Sequence, residues 1–350
     1  MTDPAPVPRF ARTRAAAPGL AVAIAVAAVA TVIGLFLPVV GGPVSAIVLG
    51  ALVAAVIRPG DALQPGLLVA SRPVLQAAIV VLGTGLSLRQ IGQVGRESLP
   101  VMIGTLAIAL AGAYLIGRAL GVRGNTQVLI GVGTAICGAS AIAASSAVIK
   151  AKDTEIAYSV GTIFAFNIVA VLLFPPLGHL LGLDPHPFGL WAGTAVNDTS
   201  SVVAAAYAYS AESGPYAVVV KLTRTLMLIP IVLVLALWTA RRETGATDTG
   251  TATGATIGRR LPWRRLIPVF LLGFLLTATL RSVGAIPDSW VGPLQHIGTF
   301  LISTALAGIG LSMNLSAVRR AGVRPLILGG CLWVLVAVSS LLLQAVSGTL

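Results

Sequence analysis

Lys221 and Arg224 stand in the apolar stretch Ala217 to Pro230, where a lipid-facing helix would carry only carbon. Each costs about 2.5–3.5 kcal/mol to place in a bilayer-spanning segment. Their i, i+3 spacing puts both on one face of a helix. If that helix begins near Pro215, the helical rise sets them roughly 9 and 14 Å below the nearer membrane face. Asp198 is the natural counter-charge. It lies about nine residues into a span entered from the opposite side, hence roughly 13 Å deep by the same rise. Asn197 beside it can both donate and accept. One carboxylate against two cations leaves about one positive charge unanswered in low dielectric, so the cluster needs a bound anion or Lys221 must lose its proton. The first outcome is anion binding and the second is proton coupling.

Two small-residue segments, 131–146 and 191–201, fall in the same depth range. They supply Cys137, Gly138 and Ser140 on one side and Thr199 and Ser200 on the other. Broken into half-helices, they would aim free N–H groups at an anion. Left continuous, they would serve close helix packing. Asn167 is a further intramembrane polar residue, either an interhelical hydrogen bond or a ligand contact. These ten residues are the candidate substrate and ion site, with no catalytic group among them.

The elements that hold them must be membrane helices. The 350 residues are 56% hydrophobic and 10% charged, with a mean hydropathy of +0.95. A soluble chain needs roughly a quarter of its residues charged, so the bilayer is the solvent for much of this one. The expected fold is an all-α polytopic membrane protein, with spans near 20–37, 43–57, 73–88, 99–117, 126–149, 156–178, 189–209, 215–239, 266–283, 293–313 and 325–346. The chain then forms a single transmembrane domain: a first helix set over 20–240, a Gly- and Thr-rich flexible cytoplasmic loop over 241–265, and a last set over 266–350. The first apolar run is read as a span, since no small-residue cleavage site follows it.

With the N-terminus in the cytoplasm, sixteen Lys and Arg fall on the inner side and five on the outer side, the latter including Lys150 and Lys152. That bias supports an N-in, multi-pass protein of the inner (plasma) membrane. The net charge of +12 is therefore topogenic, and nucleic acid is not an expected partner. Cys137 and Cys331 lie in apolar runs, which argues against a disulfide or a metal. His179, His186 and His296 have no metal spacing. No P-loop, HExxH or GxGxxG stands in a supporting context, and no cofactor is expected. A homo-oligomer stays open.

Two internal similarities are visible. Leu82-Gly-Thr-Gly-Leu-Ser87 aligns with Ala307-Gly-Ile-Gly-Leu-Ser312 on spans of opposite direction, the mark of an inverted repeat. Gly133-Thr-Ala-Ile-Cys-Gly-Ala-Ser140 matches Gly193-Thr-Ala-Val-Asn-Asp-Thr-Ser200 on spans that the count makes parallel. Either one of these is re-entrant or the likeness is only shared small-residue packing.

Together, the segments 133–144 and 193–204 and the run Val220-Lys-Leu-Thr-Arg224 resemble the YeiH-like family of proposed sulfate exporters, over nearly the whole chain. The resemblance implies kinship with the sodium/proton antiporter and bile-acid symporter superfamily, hence inverted repeats with discontinuous helices near the midplane. Relatives often carry His before the acid where this chain has Asn197, so a proton role for that His does not carry over. The implied activity is secondary export of a small, sulfate-like or sulfur-containing anion, coupled to H+ or Na+. Lys221, Arg224 and half-helix N-termini would hold the anion, and Asp198 would position the cations or carry a proton. The alternative is a cation/proton antiporter working through Asp198. An intramembrane enzyme or sensor would need a second acid or a His near Asp198.

Overall fold

The computed structural model describes residues 9–36, 41–57, 60–244, 269–312 and 322–350. Most of the 241–265 loop therefore lies outside the described residues; its first four continue a helix. Among the described residues there is no strand. The helices are α1 (Arg9–Phe36), α2 (Gly41–Ile57), α3 (Gln64–Val69), α4 (Leu75–Leu82), α5 (Leu88–Ala119), α6 (Asn125–Ala135), α7 (Ala139–Ile149), α8 (Asp153–Leu180), α9 (Pro185–Ala195), α10 (Thr199–Tyr209), α11 (Ser213–Leu226), α12 (Leu228–Thr244), α13 (Val269–Ser282), α14 (Asp288–Leu311) and α15 (Val323–Ser347). A π turn joins α3 to α4. Seven helical segments are long and apolar enough to cross a membrane, α11 and α12 counting as one of them. The chain is an all-α polytopic membrane protein.

Two compact units divide it: Met1–Arg89 with Gly273–Asn314, and Gln90–Leu272 with Leu315–Leu350. In the first, α14 packs closely on α2. A Cβ on Gly50 would meet the Ala307 carbonyl at 2.7 Å, so only glycine admits that approach. Gly308 lies against Ala70 while Gly298 lies against Val81, so α14 runs antiparallel to the α3–α4 segment. That is the opposite direction expected of the two aligned Gly-x-Gly runs.

The second unit is built on long helices. Leu335 reaches Gly112 and Leu343 reaches Gly104, so α5 and α15 are antiparallel. α6 packs against both and forms a hairpin with α7. Glu155, at the start of α8, accepts from Asn125 Nδ2 at 3.0 Å and from the Lys152 amide at 2.8 Å. The first residue of α6 thus lies beside the turn that follows α7, and the pair returns to the side it entered. The segment 185–209 does the same at the other end of α8. Tyr209 stacks on Phe188 with centroids 3.8 Å apart and its hydroxyl donates to the Leu183 carbonyl. Gly178, near the end of α8, lies against Phe188.

This corrects two expectations. The stretches 126–149 and 189–209 do not cross; each turns back. Eleven helical residues extend about 16 Å, half of a ~30 Å hydrocarbon core. Lys150 and Lys152 accordingly lie at the same end as Arg118 and Arg123. The hairpins enter from opposite ends of α8, so the two similar eight-residue runs are inverted rather than parallel.

Candidate functional site

The two hairpin tips meet. α6 stops because Ile136 leaves the helical region and Gly138 takes φ +66°, after which α7 begins. α9 stops at extended Val196, and Asp198 caps α10 by accepting from the Ser200 amide at 3.1 Å and from the Ser200 hydroxyl. A Cβ placed on Gly138 would lie 3.6 Å from the Asn197 backbone. Asn167, on α8, braces the second tip: its Oδ1 accepts from the amides of Asn197 (3.2 Å) and Asp198 (3.4 Å).

The cations of α11 enter this junction with no exposed surface. Lys221 Nζ donates to the carbonyls of Ile136 and Val196, both at 2.8 Å, and so ties the two tips together. Arg224 Nε donates to the Ala135 carbonyl at 2.7 Å. These oxygens end α6 and α9, where unpaired carbonyls concentrate partial negative charge. Cations there satisfy both the hydrogen bonds and the dipole. The pairing with Asp198 that charge alone suggested is not formed: no ion pair joins them among the described residues, because the carboxylate serves the α10 N-terminus.

What remains unsatisfied is informative. Arg224 Nη1 and Nη2 are buried without partners, as are Thr134 Oγ1, Ser145 Oγ, Asn167 Nδ2 and Asn197 Oδ1. An unpaired buried polar group costs about 1–3 kcal/mol, more when charged. The α7 N-terminus has no side-chain cap. On that side Ser140 is exposed and Asp198, Thr199 and Ser200 are half-buried, while Cys137, Gly138 and Asn197 are covered. Cys137 lies within electrostatic reach of Lys221, Asp198 and Arg224.

The four helix ends at the junction cancel as partial charges of opposite sign, leaving two cations against one carboxylate, roughly one net positive charge. All ten candidate residues thus lie on the tips or against them. The carbonyls of Ala135, Ile136 and Val196 were not legible, since every residue has a carbonyl and only the break in the helix frees it. Thr134 and Ser145 lie inside the small-residue segment 131–146, where their residue types are those of their neighbours.

A family model described as conserved hypothetical protein 698 matches residues 18–329. A UPF0324 membrane protein of Streptococcus pyogenes serotype M3 is 43% identical over 331 residues, covering 93% of this chain and 96% of the relative. One from Streptococcus agalactiae serotype V is 39% identical over 336 residues, with 95% and 98% covered. One from Streptococcus pneumoniae strain R6 is 40% identical over 324 residues, with 90% and 93% covered. The match takes in both hairpins and the α11 cations, and the chain belongs to the conserved hypothetical protein 698 family, the YeiH-like membrane proteins.

Proposed function

We propose that this protein is a secondary active transporter that exports a small sulfate-like or sulfur-containing anion across the plasma membrane, by alternating access and with H+ or Na+ coupling. The observation that carries the reading is the Arg224 guanidinium, buried at the meeting of two re-entrant hairpins with both terminal nitrogens unpaired. A planar fork of N–H donors suits an oxyanion, and the uncapped α7 N-terminus adds amides of the same polarity. Lys221 and Asp198 hold the tips in place around it. Transport is favoured over catalysis because intramembrane charge at paired half-helices marks a substrate path.

Charge supports an assignment of the inner face. Arg118, Arg123, Lys150 and Lys152 gather at the end where the first hairpin enters, and Arg324 reaches the Gly121 turn there. Positive residues mark the cytoplasmic side, so the proposal puts this end of the unit in the cytoplasm. The test is a thermal-shift screen of purified protein against sulfate, sulfite, thiosulfate and taurine, followed by flux in proteoliposomes. An anion that binds only the folded state raises Tm by mass action. Indifference to every anion, with no flux, would sink the proposal.

Cation/proton antiport has one observation in its favour: Asp198 is a half-buried carboxylate at a tip, with Ser200 as its partner. Sodium-dependent proton flux abolished by Asp198→Asn would select it.

A further inference from the structure

The α11 lysine does more than neutralise a helix end. Its ammonium bridges carbonyls from two different hairpins, Ile136 and Val196, at equal distances of 2.8 Å and with no exposed surface. A third acceptor, the Oδ1 of Asn197, the residue after Val196, is buried and has no partner. The junction is therefore rich in oxygen acceptors, and two of its helix ends present their negative poles. Half-helix C-terminal ends and unwound carbonyls are what coordinate sodium in discontinuous-helix transporters, and hard cations take oxygen ligands.

We propose that the tip junction is a monovalent-cation site which this chain fills with its own Lys221 ammonium, and which binds Na+ or K+ when the ammonium is removed. The charge is the same in both cases; only the covalent tether differs. Arg224 bonds neither of these oxygens: its Nε donates to Ala135 one carbonyl away, and Nη1 and Nη2 have no hydrogen-bond partner. Truncating Lys221 leaves the Ile136 and Val196 oxygens buried and unpaired, and a free cation restores their partner. For the native protein, and resting on the transport reading above, the tethered charge takes the place of sodium and leaves H+, of the two coupling ions named there, to drive anion movement.

The experiment compares wild type, Lys221→Ala and Lys221→Gln, purified in detergent. Thermal unfolding is measured in sodium, potassium and choline chloride, and saturable binding of radioactive sodium is measured alongside. The variants should melt several degrees higher in sodium or potassium than in choline and should bind sodium saturably. Wild type should show neither effect. Three results would overturn the proposal: a folded variant whose Tm ignores the cation, saturable sodium binding by wild type, or failure of both variants to fold in sodium as well as in choline. The readout involves no anion. An anion-indifferent wild type with cation-stabilised variants would sink the transport reading alone.

Discussion

Arg224 carries two jobs on different atoms. Nε holds the Ala135 carbonyl at the end of α6, while Nη1 and Nη2 have no protein partner. Arg224→Lys can keep the first bond and the charge but loses the planar fork. We expect it to stay folded, with anion-dependent stabilisation and flux reduced by at least about tenfold, the equivalent of one charge-assisted hydrogen bond. Arg224→Ala removes both jobs. It leaves a buried carbonyl unpaired at about 1–3 kcal/mol, so a lower Tm should accompany the lost flux. Equal anion-dependent flux in Arg224→Lys and wild type would falsify the division. The existence of this cluster was legible in the residue types alone, because charge in an apolar run has few explanations. Its wiring was not. Counting side-chain charges pairs Lys221 with Asp198, whereas the partners are backbone oxygens that no residue letter records.

The hairpins show where sequence reading stops at the level of an element. A hairpin of two 11-residue half-helices and a single span of 22 residues have the same apolar length, so hydropathy treats 126–149 and 189–209 like their neighbours. The long helices were legible for the complementary reason: α5, α8 and α15 carry one continuous apolar run each. What makes the first hairpin turn is local. Gly138 has φ +66° and ψ −127°, a region closed to L side chains, and a Cβ there would also approach Ile163 at 3.1 Å. Gly138→Ala should cost about 1–3 kcal/mol, read as a lowered Tm in detergent with the anion response weakened because the tip is displaced. Gly92 is the control. It sits on the exposed side of α5, and a Cβ added to it would meet no atom within 4 Å. There Ala should be neutral or stabilise by up to about 1 kcal/mol through helix propensity.

At the scale of the molecule, the re-entrant hairpins rearrange which loops share a face. If 125–149 crossed the bilayer, the turns before α6 and after α7 would open on opposite sides. Instead Asn125 and Lys152 are joined through one Glu155 carboxylate, and that face also holds Arg118 and Arg123. Moving Lys150 and Lys152 to it sharpens the charge asymmetry that orients the chain, since the opposite face keeps the turns 181–184 and 210–212 with no Lys or Arg. In a background lacking Cys137 and Cys331, single cysteines at Arg123 and Ala151 should both resist a membrane-impermeant thiol reagent in intact cells and react after permeabilisation. Cysteines at Leu181 and Glu212 should both react in intact cells. A split within either pair means that the segment crosses, and the meeting of the tips is lost with it. Reversed accessibility of both pairs would keep the hairpins and invert the protein, placing the Lys150 and Lys152 turn outside and overturning the charge-based orientation.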